Sequence, residues 1–214
     1  EEYDLIMAVD SFPVNLFLPT MGIGALTANV EVSGKEYDIM SPSCVLDADV
    51  LLKQMIYNGK AYNNARAWAN IANSEAEMGI VSLNNNADFD VVANAMIKEN
   101  EDIEWRVSGD VRNADLKGLG LSETQSKGSL TLSGDGVVNL TKEAYDINLS
   151  INQLEWSIPD MYINTPSLDA KMFASDSIIK ASINNNNDLK ADFISYCSID
   201  TFVAKIVDAT AILD

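Results

Sequence analysis

The chain of 214 residues has no histidine. That one absence removes the Ser-His-Asp triad, the Cys-His pair, the HExxH zinc site and the neutral-pH proton shuttle together, since each relies on imidazole. Positive charge is scarce as well. Fourteen Lys and Arg against 32 Asp and Glu leave a formal net charge of −18, and only Arg66, Arg106 and Arg112 can make bidentate grips. Phosphate backbones and anionic membrane surfaces are poor partners for such a chain, and no nucleic acid is expected. No apolar run approaches the roughly 20 residues of a bilayer-spanning helix. With two cysteines, Cys44 and Cys197, far apart in apolar settings, two buried free thiols are expected rather than a disulfide framework. The chain opens "EEYDLIMAVDSF", without an initiator Met or a charged-then-apolar leader, and reads as a piece of a longer chain.

Motifs that would carry chemistry are missing too. "GDGVVN" and "GLGL" lack the glycine spacing and the strand-to-helix setting of a dinucleotide site, and no GK[ST] occurs for a phosphate loop. Acidic pairs are frequent: Asp47 with Asp49, Asp88 with Asp90, Glu99 with Glu101 and Asp102, Asp188 with Asp192. At i and i+2 on a strand such pairs share an outward, solvated face. None sits in a D-x-[DN]-x-[DN]-G calcium loop. No catalytic residue, cofactor or metal ligand is expected, and the chain does not read as an enzyme.

What is present is alternation. Leu26, Ala28, Val30 and Val32 share one face of "ALTANVEVSG", and Phe89, Val91, Ala93, Ala95 and Ile97 do so in "ADFDVVANAMI". Ile103, Trp105, Val107, Gly109 and Val111 repeat the pattern, as do Tyr145, Ile147, Leu149 and Ile151, then Leu168, Ala170, Met172 and Ala174. Trp105 and Trp156 fall in this apolar parity, which points to packing rather than a sugar-stacking platform. Turn signals separate the runs: "SGKE" at 33–36, "NG" at 58–59, "SGDG" at 133–136, and the tracts "SLNNNADF" at 82–89 and "SINNNNDL" at 182–189. "DADVLLKQMIYNG" at 47–59 reads either as a helix or as a strand with Leu46, Ala48, Val50 and Leu52 on one face. "FPVNLFLPT" at 12–20 admits about one helical turn between its prolines.

The two Asn tracts stand 100 residues apart, and other markers keep their order: "GALT" at 24–27 recurs as "GSLT" at 128–131, and "EYDI" at 36–39 as "AYDI" at 144–147. Two β-repeats are expected, residues 1–100 and 101–214, together forming one elongated domain. Strands that are apolar on one face need a second sheet, a continuation of the repeat or an apolar ligand to cover that face.

The run "WRVSGDVRNADLKGLGLSETQSKGSLTLSGDGVVNL" onward, with its "GSLTLSGDG" cycle, "LEWSIP" leading into "SLDA", and "LKADF", resembles the AsmA-like and TamB family of bacterial envelope proteins. The first half carries the same cycle in "GALTANVEVSG" and "ADFDVVAN". The resemblance implies an all-β fold: an elongated, mostly antiparallel repetitive sheet curled into an open groove, with little helix. It implies a periplasmic location in a protein anchored to the membrane outside this segment. The expected role is to offer the groove to phospholipid acyl chains moving to the outer membrane, or to assist the outer-membrane assembly machinery. Under this reading the lipid-groove candidates are Leu26, Val30, Phe89, Val91, Ile103, Trp105, Ile147, Leu149, Leu168 and Met172. The competing expectation is an extracellular β-repeat adhesin or surface module with a closed core. A glycosidase would require two carboxylates converging in one cleft at about 5 to 10 Å.

Overall fold

The computed structural model describes residues 2–57, 59–185 and 189–198. Twelve strands follow one another: β1 (Glu2–Pro13), β2 (Ile23–Lys35), β3 (Val45–Tyr57), β4 (Lys60–Ala72), β5 (Glu75–Asn84), β6 (Ala87–Ile97), β7 (Asp102–Asp115), β8 (Lys127–Asn139), β9 (Ala144–Ile158), β10 (Met161–Ser175), β11 (Ile178–Asn184) and β12 (Lys190–Ser195). Each pairs antiparallel with the next, so the strand order in the single sheet is the chain order. β1 and β12 are the two edges, and the sheet is all-β, open and not closed into a barrel. The helical content among the described residues is two 3₁₀ turns, Val14–Leu16 and Pro19–Met21, in the stretch where the prolines admitted one turn.

Tight turns join most neighbours, and their residues suit the backbone they adopt. Asn73 and Ser74 between β4 and β5 both have positive φ, at 54° and 63°, as a primed hairpin turn demands. The first Asn tract turns the chain from β5 into β6: the Asn86 N–H donates to Asn84 Oδ1 at 2.8 Å, and Asn84 Nδ2 donates to Asn63 Oδ1 on β4 at 3.0 Å. Asparagine there supplies both a local turn and a lateral tie. In the second tract, Asn186, Asn187 and Asp188 lie outside the described residues, as does Asn58 of "NG". The Asn185 N–H donates to the Leu189 carbonyl across that turn at 3.1 Å.

Three expectations are corrected or decided. Of the stretch 47–59, the residues up to Tyr57 are strand and not helix; Leu46, Ala48, Val50 and Leu52 pair with Ile71, Ala69, Ala67 and Ala65 on one face of β3. "SGKE" does not turn the chain: β2 runs on to Lys35, and the reversal occupies residues 36–44, where "EYDI" lies. "SGDG" is no turn either, but the middle of β8. Its glycines are there for lack of space. A Cβ on Gly134 would meet Leu149 Cδ2 at 2.6 Å, and one on Gly136 would run into the Asp146 carbonyl and sit 3.0 Å from the Trp105 ring.

That glycine belongs to a pattern. All three tryptophans of the chain lie across a cross-strand glycine: Trp68 over Gly79, Trp105 over Gly136 and Trp156 over Gly128. A bare Cα lets the indole lie flat on the neighbouring strand, covering backbone that a two-layer fold would cover with another element. Full burial is correspondingly rare. Among the described residues the buried apolar side chains are Val14, Ala28, Cys44, Ala174 and Ile179. Both cysteines are free, Cys44 buried at 2% exposure and Cys197 half-buried with its Sγ 3.0 Å from Ser195 Oγ.

The sheet is curled along its rim. Met40 and Pro42, from the β2–β3 connection, line one cavity of about 420 Å³ with Leu140 and Thr141 from the β8–β9 turn. In a flat sheet β3 and β8 would stand roughly 24 Å apart, at about 4.8 Å per strand. On this rim, Asn139 Nδ2 donates to Asp102 Oδ1 at 2.6 Å and Asn100 Nδ2 to Asp102 Oδ2 at 2.6 Å. The Asn139 bond first, then the Asn100 bond and the charge of Lys142, hold the Asp102 carboxyl below its ordinary value against a cost in lost solvation.

In numbering, "GALT" and "GSLT" fall at the starts of β2 and β8, and the Asn tracts follow β5 and β11, each pair six strands apart. The β6–β7 turn at 98–101 separates two runs of six strands within one unbroken sheet. Residues 199–214 of the second expected repeat lie outside the described residues.

Two outcomes are expected. Gly136→Val should lower stability by about 1–3 kcal/mol in denaturant unfolding, through overpacking against Trp105. Asn139→Ala should bring the Asp102 titration back toward the ordinary carboxylate range, read by carboxyl ¹³C NMR. Because the folded value is depressed, this contribution is present above the unfolded value and is lost as pH falls through the folded one.

Candidate functional site

Antiparallel partners point to the same side of a sheet, so the pairing defines two faces. On one face the partners run Met7, Val30, Val50, Ala67, Ile80, Val91, Gly109, Leu132, Ile151, Leu168 from β1 to β10 without a charged residue. A parallel row runs Leu5, Val32, Ala48, Ala69, Met78, Ala93, Val107, Gly134, Leu149, Ala170, Ile183, Ala191 across all twelve strands.

All ten groove candidates lie on this face. Val30, Val91 and Leu168 sit in the first row and Leu149 in the second. Trp105, Ile147 and Met172 share a third row, with Ile147 directly between Gly136 and Met172. Phe89 pairs with Ser82 and Val111, Ile103 with Ile97 and Val138, and Leu26 with Phe12 and Met55. The same parity includes Met7, Val50, Met78, Ile80, Leu132 and Ile179, which extend the face although they were not among the groove candidates. No second layer covers it among the described residues. Leu5, Met7, Met78 and Ile80 remain 51%, 43%, 42% and 41% exposed.

One feature of this face was not visible in the sequence. The connection between β7 and β8, residues 116–126, folds over it at one end of the strands. The Tyr62 hydroxyl on β4 donates to the Leu119 carbonyl, three strands from where the connection leaves the sheet. Trp156 Nε1 on β9 donates to Ser126 Oγ at 3.0 Å. The connection keeps its shape through Asp115, whose Oδ1 accepts from the Gly118 N–H at 2.8 Å, and through Leu116 N–H to the Ser126 carbonyl at 2.8 Å. Gly120 takes φ of 73°, and a Cβ there would lie 3.2 Å from Lys60 Cγ. Burial, then the neighbouring Tyr57, pushes the Tyr62 phenol above its ordinary value.

The opposite face is polar. One row reads Ser33, Asp47, Asn70, Glu77, Asn94, Arg106, Asp135, Asn148, Lys171, Ser182, Asp192. The acidic pairs Asp47 with Asp49 and Asp88 with Asp90 stand on this face, as their spacing implied. Arg66 pairs with Asp49 (Nε to Oδ2 2.7 Å) and Arg112 with Asp88 (Nε to Oδ1 2.8 Å), both across neighbouring strands and both exposed. Such pairs contribute little to stability. A cavity of about 710 Å³ also lies here, between exposed side chains of β4 to β9 that include Glu77, Glu104, Arg106 and Asp135. It is a hollow between solvated polar side chains, whereas the apolar face is a continuous open surface. No group of three or more Cys, Asp or Glu side chains able to hold a metal occurs among the described residues.

No protein-family model, curated protein or solved structure matches the chain. Function therefore has to be argued from the face itself. An uncharged surface of branched and aromatic side chains crossing twelve strands binds by area, at about 0.8 kcal/mol for each methylene taken from water, and needs no fixed polar group.

Tyr62→Phe is expected to free the 116–126 connection while leaving the sheet intact, raising amide exchange at Gly118–Leu121 several-fold with little change at β5–β9. The raised phenol means the native donor persists past the ordinary tyrosine range; this contribution is fully present below the unfolded value and is lost as pH rises through the folded one. Wild type should approach the variant's exchange pattern only in that alkaline window.

Proposed function

We propose that this chain presents its apolar face to phospholipid acyl chains, as a segment of an AsmA/TamB-like periplasmic protein that moves lipid toward the outer membrane or assists outer-membrane assembly. The observation that carries the reading is the unbroken apolar face of an open sheet, with no covering layer among the described residues. A large one-sided apolar surface is costly in water and marks an interaction site. An extended alkyl chain suits it because the surface is long, uncharged and without a defined pocket. The closed-core surface module would need a second layer over this face.

The ladder rows suggest how a chain would lie. Side chains along a row stand about 4.8 Å apart from strand to strand, so rows of Val, Ile, Leu and Ala form ridges running across the sheet. Gly109, Gly134 and Gly136 are overlain by Val91, Leu149 and Trp105, which levels the rows there. The polar face keeps such a segment soluble with its net charge of −18.

The test is photocrosslinking with a diazirine-bearing phospholipid in detergent-free buffer. Labelled peptides are expected to map to apolar-face residues such as Val91, Leu149 and Leu168. Val91→Glu, in the middle of the first row, should cut labelling at least several-fold while circular dichroism stays unchanged. Labelling confined to the polar face, or none where a known lipid carrier is labelled, would overturn the reading.

A further inference from the structure

Charge is distributed along the whole chain except in one place. The stretch from Ser11 to Val30 holds 20 residues without an acid or a base, and the next longest such run, 78–87, holds 10. Its first half makes the connection between β1 and β2. There Leu16, Phe17 and Leu18 stand 73%, 66% and 50% exposed, on and between the two 3₁₀ turns. In a chain of net charge −18, consecutive exposed apolar side chains in a charge-free setting mark a contact surface.

The tip is held in this shape by its own contacts. Val14, after Pro13, is buried and roots the first turn. The Phe17 and Leu18 N–H groups both donate to the Val14 carbonyl, at 3.0 and 2.9 Å, and the Ser11 N–H donates to Thr27 Oγ1 at 3.0 Å. Phe17 stacks on Phe12 with ring centroids 5.2 Å apart. Pro19 opens the second turn, and Gly22, at φ of 69°, returns the chain to β2. Apolar side chains on a preformed turn whose main-chain donors already have partners enter a hydrocarbon medium at low cost.

Exposure alone does not select this end of the strands. Tyr37, Ile39 and Leu140 are exposed at the opposite end, but the connections there carry Glu36, Asp38, Glu99, Glu101 and Glu143. We propose that the β1–β2 connection inserts Leu16, Phe17 and Leu18 into the surface of a lipid bilayer without net negative charge. Three consecutive side chains, each at least half exposed, are covered together by a medium that surrounds the turn, and a bilayer asks only for apolar area. The charge-free stretch gives a protein partner no ion pair with which to fix its register. Repulsion between an anionic surface and a chain of charge −18 makes uncharged lipid headgroups the ones that fit. Nothing here requires the open face of the sheet to carry lipid.

The test is flotation of the chain with phosphatidylcholine vesicles, compared with vesicles that also contain phosphatidylglycerol. Wild type is expected to float with the first and less with the second, the difference narrowing as salt screens the repulsion. Leu16→Asp and Phe17→Asp should each weaken binding about tenfold or more, with circular dichroism unchanged. Phe17→Trp should keep the binding and add a tryptophan whose emission is quenched by brominated phosphatidylcholine. Ile39→Asp, at the opposite end, should float as wild type does. A wild type that stays in the buffer, or one that binds anionic vesicles more tightly, would overturn the proposal. So would vesicle binding that Val91→Glu removes and the two Asp variants leave intact, which places the contact on the open face of the sheet, and so would a monomer–dimer equilibrium that the Asp variants abolish in place of vesicle binding, which makes a second copy the occupant.

Discussion

Register between successive strands is the constraint on which everything else in this molecule rests. The sheet has one apolar and one polar face, and a one-residue slip in any of eleven pairings would exchange them for every strand beyond it. The pairings do contain irregularities, at Val9/Phe12, Ile23/Leu26, Thr27/Ala28, Asp88/Phe89, Val111/Ala114 and Ser129/Thr131. Each absorbs an extra residue so that parity is restored: Phe12 still meets Leu26, and Ala114 still meets Gly128 on the apolar side. Such bulges also increase local twist, which helps an open sheet curl. Positive φ at Ser11, Asn64 and Gln153 marks where the chain makes room.

A single layer has a packing difficulty that two-layer folds avoid, since apart from the 116–126 connection at one end nothing among the described residues lies above the apolar side chains. The cross-strand Trp–Gly pairs answer part of it. An indole laid on a glycine shields backbone from the same layer, and it does so on both faces, Trp105 and Trp156 on the apolar one and Trp68, with Arg66 5.7 Å from its ring, on the polar one. Burial is graded rather than complete, and two of the few buried apolar residues among those described, Ala174 and Ile179, are cross-strand partners near the second edge.

Strand positions and face assignments were legible because period-two alternation survives wherever one face meets water, as at β7 and β9. Glycine was the misleading residue. "SGDG" has the composition of a hairpin turn, but its glycines answer to Trp105 and Leu149 on neighbouring strands, information absent from the local sequence. "EYDI" and "AYDI" match as letters yet lie in a connection and in a strand. That the ten groove candidates share one face was legible by parity. Tyr62 and the 116–126 connection were not, because their meeting spans 57 residues and depends on how far a loop leans over the sheet. The open face was expected from a family resemblance. In the structure it follows from the absence of a covering layer among the described residues.

The meander order has a consequence for how the molecule forms. Every strand pairs with the strand made just before it, and no connection crosses another. Each strand's partner is therefore its neighbour in the chain, which keeps the loops to be closed short and their closure entropy small. A chain delivered from one end can zip up hairpin by hairpin, each new strand finding its partner already in place. Loss of structure should run the same way in reverse, beginning at the outermost strands and leaving the middle of the sheet until last.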